Sequence, residues 1–322
     1  QKEWEATTRE EAVLRITDKI KDTFREQDRG AEDRDEKWER LKSQIEGGQL
    51  KPGARTGGRH LSEEEAATLK ERPSLEEYTE AVRRLKLGKA SGPDRLIGEV
   101  FRIDPEYWGR VLMDMEDSEE CLTALAYGWV AYLHKKGDRA AMKNYRPVTV
   151  LNVAYKAVTS AYTKKLDKLV STVSLAQFGF KKRTGTRDYL GVVKTVLRTH
   201  RDRKLCAGLM DLSQAFDRVR RTEIWSAMAE LGAPVEFIGR IRNLFRRTTM
   251  RAFWAGALGP DTETTRGVFQ GCPISPQLFI IAAEIMNRLF EMRCRQGGLR
   301  GLKITGRDPP STTPLKEWWT ET

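Results

Sequence analysis

Asp211 stands at the end of an apolar run, a position at which a carboxylate could take part in chemistry. Residues 205–210, which precede it, form a short continuous apolar segment, and this predicts a strand covered on both faces. A carboxylate where a buried strand emerges needs a compensating partner, and a divalent cation is a suitable one. A surface turn after an ordinary core strand is the other interpretation, and this stretch alone leaves both open.

A second stretch, 266–276, reads R-G-V-F-Q-G-C-P-I-S-P and contains two glycines and four polar or sulfur side chains around a predicted turn. Gly271 allows the backbone to approach a ligand closely, and successive amides of such a turn can cradle negative charge. The apolar run Leu278–Phe290 follows and predicts a buried helix. The stretch therefore predicts a tight turn that leads directly into the core.

Basic side chains follow the apolar strand that is predicted over Trp129–Leu133. H-K-K-G-D comes directly after it, and N-Y-R-P follows a few residues later. Arginine makes forked, charge-assisted bonds to phosphate, and lysine adds a mobile point charge. A solvated basic turn is the alternative, and it fits Lys135 and Lys136 better than it fits Arg146, which Pro147 follows.

Aromatic and basic residues are interleaved over 177–187, which reads Q-F-G-F-K-K-R-T-G-T-R. This composition suits a surface that grips or stacks on a nucleic-acid strand. Phe178 and Phe180 suit a core position equally well, so their role stays open at this point. The basic members of the segment are Lys181, Lys182, Arg183 and Arg187.

Residues 204–219 and 266–276 together resemble motifs A and B of the reverse transcriptases of non-LTR, or LINE-type, retrotransposons. The run F-Q-G-C-P-I-S-P carries the more specific match, because Gln, Gly, Cys, Pro, Ser and Pro occur in the family's order. K-A-S-G-P-D at 89–94 is similar to a loop just upstream of the family's fingers, although Ser91 and Arg95 depart from its pattern. The resemblance extends over about 74–305.

The resemblance implies an α+β polymerase fold, in which a fingers subdomain stands before a partial palm made of an antiparallel sheet backed by helices. It also implies RNA-directed DNA polymerase activity with an RNA template, a DNA primer and dNTP as substrates. The reaction would be nucleotidyl transfer, supported by two Mg²⁺ or Mn²⁺ ions about 3.5–4 Å apart. A mobile-intron or telomerase-type reverse transcriptase shares this fold and remains an alternative.

Site residues carry over from the family position by position. Asp211 would bind both ions, and the backbone carbonyl of Leu212 would be a further ligand, whereas Asp217 would be structural. Phe216 would screen the sugar 2′ position of the nucleotide, and Gln270 would contact the nucleotide near its sugar. The full set that the resemblance places against the nucleotide is Lys135, Lys136, Arg146, Phe216, Gln270 and Gly271.

Charge is distributed unevenly along the 322 residues, whose net charge is +11. Residues 1–80 contain 16 basic against 21 acidic side chains, and the remainder contain 41 basic against 25 acidic ones. A basic body behind an acidic leader predicts that the body, and not the leader, binds a polyanion such as nucleic acid. A merely basic protein remains possible on charge alone.

Four widely spaced cysteines without a C-x-x-C pair predict a reduced, intracellular protein, in either the nucleus or the cytoplasm. No apolar stretch is long enough to span a bilayer, so no membrane partner is expected, and the oligomeric state stays open. The start at Gln1 suggests a piece of a longer protein. The predicted divisions are 1–60, an acidic helical extension with a Gly-rich linker; 61–127, a helical lead-in with the KASGPD loop; 128–305, fingers and palm; and 306–322, an unrelated or disordered tail.

One element of the family is missing from the sequence. Motif C, a hairpin tip with two adjacent aspartates, should follow the run R-G-L-K-I-T at 300–305, but no adjacent aspartate pair occurs anywhere in the chain. We therefore expect an incomplete, inactive polymerase that binds nucleic acid without extending a primer. A non-catalytic nucleic-acid-binding remnant, or an interaction protein built on the leader, are the alternatives from other classes.

Overall fold

The computed structural model describes most of the chain. The predicted strand at 300–305, the predicted tail and most of the Gly-rich linker lie outside the described residues. The described ranges are 9–24, 31–49, 59–139, 144–201, 207–212 and 214–295.

Helices make up most of the described structure. Two of them lie in the leader, where a helical extension was expected. Ser62 and Ser74 are each followed three residues later by Glu, a pattern that predicts a capping box, and such boxes begin α3 and α4. The helices are α1 Arg9–Phe24, α2 Ala31–Glu46, α3 Glu63–Lys70, α4 Leu75–Arg83, α5 Gly98–Ile103, α6 Pro105–Glu116, α7 Glu119–Leu125, α8 Val153–Ala161, α9 Thr163–Val170, α10 Thr186–Thr199, α11 Ala215–Arg218, α12 Arg221–Glu230, α13 Val235–Arg246 and α14 Ser275–Arg295.

One five-stranded sheet lies among these helices, in the order β2-β1-β3-β4, with β5 also paired to β3. β1, which contains the strand predicted over Trp129–Leu133, forms an antiparallel hairpin with β2, and β4 and β5 are both antiparallel to β3. β1 and β3 run parallel, so the sheet is mixed where a purely antiparallel one was expected. The strands are β1 Tyr127–His134, β2 Tyr145–Leu151, β3 Thr248–Trp254, β4 Ala257–Leu258 and β5 Thr262–Thr264.

α1 belongs to the same hydrophobic core as the body of the protein. Ile16 and Ile20 are fully buried, and Val13 and Phe24 are nearly so. The helix packs across β3, β4 and β5 and reaches α11. The apolar stripe of α1 therefore completes the core of the body. The predicted boundary at residue 60 stays a prediction.

The predicted buried strand before Asp211 is not formed in the part that the structure describes. Residues 207–212 are neither helix nor strand, and Leu209 is 94% and Met210 72% exposed. Within the described residues, no strand lies alongside them, and an isolated extended segment has nothing with which to pair its backbone groups.

α10 differs from expectation for a related reason. Its sequence has an apolar stripe that predicts inward-facing Leu190, Val193 and Leu197, but the helix buries no residue. Leu190 and Leu197 are about half exposed. The apolar stripe is present, but no described element covers it, so the prediction of inward-facing side chains was wrong here.

No helix in the described part of the chain combines the length and the apolarity that a bilayer span requires.

Candidate nucleotide and nucleic-acid site

The turn at Gln270–Gly271 lies against the outer edge of β2. The amide of Thr149 donates a hydrogen bond of 3.1 Å to the carbonyl of Gln270. Gly271 has a φ of +122°, and a Cβ added there would lie 2.9 Å from the carbonyl oxygen of Thr149. Glycine is therefore required both by the backbone conformation and by the closeness of β2.

Arg146 lies on the same strand as Thr149, three residues nearer the hairpin tip and thus about 10 Å away along an extended chain. Its side chain is exposed, as are those of Lys135 and Lys136 at the other side of the tip. The amide of Lys135 donates to the carbonyl of Asn144 at 2.8 Å, which extends the pairing of the hairpin beyond its strands. The structure thus places the three predicted phosphate-binding residues on one hairpin, with Arg146 on the strand that touches the turn.

Phe216 lies on α11, directly behind the turn. The amide of Val268 donates to the carbonyl of Phe216 at 2.8 Å. The Phe216 ring stacks on Phe279 of α14 with centroids 4.8 Å apart, and Phe180 meets it edge-on at 5.7 Å. Phe180 is therefore not a buried core residue: its ring is largely exposed and also contacts Phe216, the residue that was predicted to screen the sugar.

Asp217 is almost fully buried next to Phe216. Burial raises the pKa of the Asp217 carboxyl to about 6, and the guanidinium of Arg218 offsets only part of this effect. Gly267 approaches it so closely that an added Cβ would lie 2.4 Å from the Asp217 carbonyl oxygen. These contacts agree with the structural role that was expected for Asp217.

The basic segment 181–187 divides into engaged and open side chains. Lys181 donates to the carbonyls of Val173 and Ser174, both at 3.3 Å, and its burial lowers the pKa of its ammonium group. Lys182 forms an ion pair of 2.5 Å with Asp167. Two of the four predicted nucleic-acid contacts therefore already have protein partners.

The other two basic side chains of this segment face solvent. Arg183 is exposed and adopts a left-handed backbone with a φ of 62°. Arg187 is exposed in the first turn of α10. These two arginines, and Phe180 directly before the segment, have side chains that are exposed to solvent.

The KASGPD loop is fixed to the head of α8 by one residue. Asn152 accepts a hydrogen bond of 3.2 Å from the amide of Asp94 and donates one of 3.1 Å to the carbonyl of Leu125. Gly92 lies so close to Asn152 that an added Cβ would be 2.4 Å from its Cα. The glycine of this loop is therefore needed for packing.

Sequence reasoning missed three residues that organise the site: Thr149, Asn152 and Phe279. Each acts through a contact between elements distant in the chain. Asn152 stands where the strand β2 gives way to α8, which was a usable signal for a cap or clamp, but Thr149 and Phe279 look like ordinary strand and helix residues.

A mixed sheet backed by helices carries a hairpin with basic side chains and a glycine turn on its edge, an arrangement consistent with the fingers and palm of a polymerase. The family model described as "Reverse transcriptase (RNA-dependent DNA polymerase)" matches residues 133–305, more than half of the chain. The chain belongs to the reverse transcriptase family, and its relatives are proteins of non-LTR retrotransposons.

Three relatives illustrate the similarity. The Transposon TX1 uncharacterized 149 kDa protein of Xenopus laevis is 27% identical over 70% of this chain and 18% of its own length. The Retrovirus-related Pol polyprotein from type-2 retrotransposable element R2DM of Drosophila melanogaster is 28% identical over 64% of this chain and 20% of its own. The RNA-directed DNA polymerase from mobile element jockey, also of Drosophila melanogaster, is 24% identical over 66% of this chain and 24% of its own length. The chain thus spans about a fifth of the length of these relatives.

Reverse transcriptases generally use divalent metal ions, which the oxygen atoms at motif A would have to bind. Asp211 and Leu212 are both exposed. Among the described residues, no group of three His, Cys, Asp or Glu side chains could hold an ion. One carboxylate and one carbonyl do not meet the several oxygen ligands that a hard cation needs, so the described residues do not fit a complete metal centre.

Proposed function

We propose that this chain supplies the fingers and the nucleotide-facing part of the palm of an RNA-directed DNA polymerase. Its substrates would be dNTP, an RNA template and a DNA primer. One observation carries the proposal: the turn at Gln270–Gly271 bonds to the strand that carries Arg146 and, through Val268, to Phe216. Three residues that the family uses on one nucleotide thus belong to one connected site.

The side chains would act by binding and positioning. Arg146 can make forked, charge-assisted bonds to a triphosphate, and Lys135 and Lys136 can add mobile positive charge. Gln270 would contact the nucleotide near its sugar, and the Phe216 ring would limit the space at the 2′ position. In the reaction a primer 3′-hydroxyl attacks the α-phosphate and pyrophosphate leaves, so alignment by these residues is a large part of what the protein contributes.

The nucleic acid would contact the open basic side chains next to this site. Arg183 and Arg187 are exposed, whereas the exposed Lys182 of the same segment pairs with Asp167, and Phe180 offers an exposed ring beside Phe216. Phosphate contacts and base stacking are the two components of single-strand binding. We propose Asp211 and the carbonyl of Leu212 as ligands of Mg²⁺ or Mn²⁺, a set that further acidic ligands would have to complete.

A second function, binding of nucleic acid without catalysis, is favoured by one specific observation. The sequence has no adjacent aspartate pair, and the described residues offer Asp211 without a neighbouring carboxylate cluster. Two cations held by so few anionic ligands would bind weakly. For this chain on its own we propose binding of template, primer and nucleotide without extension.

Primer extension on an RNA template, with Mg²⁺ or Mn²⁺ and beside an Asp211→Ala control, tests both functions. We expect no extension by either protein, and RNA–DNA hybrid binding by both. Extension by the unmodified chain that the Asp211→Ala variant lacks would show that the chain is a complete polymerase. Absence of hybrid binding would contradict both functions.

A further inference from the structure

The end of α1 is held by the segment that leads to the Gln270–Gly271 turn. The carbonyl of Phe24, the last residue of α1, accepts hydrogen bonds from the amides of Thr265 at 2.8 Å and Arg266 at 3.1 Å. The side chain of Arg266 donates to the carbonyl of Thr23 at 2.8 Å and to that of Asp22 at 2.6 Å. Four hydrogen bonds therefore join three consecutive carbonyls of α1 to two residues.

These contacts suit the chemistry of a helix end. The last carbonyls of a helix have no partner within the helix, and the end carries partial negative charge. The guanidinium of Arg266 supplies both donors and a positive charge at that place. The Arg266 contact is thus stronger than a hydrogen bond between two neutral groups. Because the planar guanidinium donates to two carbonyls at once, it also fixes the orientation of Arg266 relative to the end of α1.

The next two residues attach the same segment to motif A. The amide of Gly267 donates to the carbonyl of Val219 at 2.8 Å, and the amide of Val268 donates to that of Phe216 at 2.8 Å. The segment passes so close to Asp217 that no side chain fits at Gly267. Thr265 and Arg266 therefore bond to the end of α1, and the next two residues bond to α11 and to the residue that follows it.

Two residues further on, the segment reaches the nucleotide-facing turn. Gln270 accepts the hydrogen bond from Thr149, and Gly271 lies in contact with the same residue. Only Gly267, Val268 and Phe269 separate Arg266 from Gln270. Because Phe269 and Val268 are fully buried, the segment has little freedom to absorb a shift at Arg266 without moving the turn.

α1 itself is anchored firmly enough to serve as a fixed support. Its apolar stripe is buried. Thr17 of α1 lies so close to Gly259 that a Cβ added to this glycine would be 2.3 Å from the Thr17 hydroxyl oxygen. The Thr17 hydroxyl donates within the helix to Val13 at 2.8 Å. The helix is therefore seated directly on the turn between β4 and β5, and its end at Phe24 has a defined position.

We propose that α1 is a brace for the nucleotide-binding turn, and that Arg266 is its positioning residue. The brace sets the position of Gln270 and Gly271 relative to β2, so nucleotide affinity depends on an N-terminal helix that touches no nucleotide. The inference deepens the proposed function and rests on it, since it assigns the turn to nucleotide binding.

The experiment compares the whole chain with Arg266→Ala, Arg266→Lys and a matched control, Arg251→Ala. Arg251 lies on β3 in the same sheet and pairs with Asp261 at 2.6 and 3.0 Å at the protein surface. Amide hydrogen exchange of residues 267–271 and 145–151 is measured first. The affinity for a fluorescent dNTP with Mg²⁺ and an RNA–DNA template–primer, and the affinity for the template–primer alone, follow.

In Arg266→Ala we expect exchange over 267–271 to rise and dNTP affinity to fall, each by about tenfold, which is the loss of one charged hydrogen-bond fork. Template–primer affinity and exchange in α13 should stay unchanged, which separates positioning from a general loss of stability. Arg266→Lys should recover part of the dNTP affinity, because an ammonium still donates to one carbonyl. Arg251→Ala should match the unmodified chain.

Unchanged exchange over 267–271 in Arg266→Ala would overturn the brace, as would a rise spread equally over α13. If the unmodified chain binds dNTP and Arg266→Ala binds it with the same affinity, the brace is also overturned. If the unmodified chain binds no dNTP, the proposed function fails, and the exchange measurement still decides whether α1 fixes the turn.

Discussion

The rings of Phe216 and Phe279 stack with their centroids 4.8 Å apart and their planes 15° from parallel. α14 therefore supports the residue that the family places below the sugar of the nucleotide. A side chain that screens a 2′-hydroxyl has to resist displacement, and a stacked ring on a long buried helix provides that resistance. Under the proposed function, selectivity for deoxyribonucleotides would therefore also depend on Phe279, which supports Phe216.

Phe216→Val should weaken discrimination between dATP and ATP in competition binding, because the smaller side chain leaves room for a 2′-hydroxyl. It should also lower the free energy of unfolding by about 1–3 kcal/mol, since a half-buried ring is truncated. Phe180→Ala is the control, because it removes the edge contact and leaves Phe216 on Phe279. Discrimination that survives in Phe216→Val would assign Phe216 to the core alone.

Gly271→Ala should displace the turn from β2 and abolish most dNTP binding. Gly256 is a matched control, since it also has a positive φ, +88°, but has nothing within 4 Å of an added Cβ. Both alanine variants should lose roughly 1–3 kcal/mol of stability from backbone strain. Calorimetry and dNTP titration separate the two effects, and equal dNTP binding by both variants would contradict a role for the Thr149 contact.

Asp217 predicts a specific pH dependence of stability. Its pKa of about 6 in the folded protein lies above its ordinary value of 3.8, so the folded protein binds more protons than the unfolded chain between these values. The contribution of Asp217 is therefore most favourable below about pH 4 and is lost as the pH rises to about 6, by up to about 3 kcal/mol. The difference between unmodified and Asp217→Asn unfolding free energies, measured by denaturant titration, should show this decline. A flat difference would mean that Asp217 is not buried as a carboxyl.

Reversal of Arg183 and Arg187 to glutamate should weaken RNA–DNA binding and lower the salt slope by about 2, one for each lost phosphate contact. The matched control reverses Arg83 and Arg110, which are exposed on α4 and α6 and change the net charge equally. Filter binding across a salt series gives both slopes. Equal effects of the two double reversals would indicate that overall charge, and not this segment, attracts the nucleic acid.

Local sequence patterns predicted the structure well where one element decides its own shape. The capping boxes at Ser62 and Ser74 and the hairpin of β1 and β2 formed where expected. The turn at Gly271 could also be predicted, because its glycine has a backbone reason that is independent of the rest of the fold. In each case neighbouring residues supply both the signal and the contact.

Prediction failed where a partner element decides the outcome. The stripe of α10 and the apolar run before Asp211 both have the composition of buried segments, but burial needs a second surface that no local pattern describes. The sequence of α1 also has an amphipathic stripe, but its spacing alone does not say which surface the stripe covers; in the structure it packs on β3, β4 and β5.

The uncovered side of α10 has a practical consequence at the bench. Leu190 and Leu197 face solvent, and Leu209 and Met210 are mostly exposed on the segment before Asp211. Apolar surface of this kind binds reporter dyes, adheres to column matrices and promotes concentration-dependent precipitation. A preparation of this chain should therefore be handled dilute and with a mild amphiphile, and nucleic-acid titrations should be checked for turbidity before they are interpreted as binding.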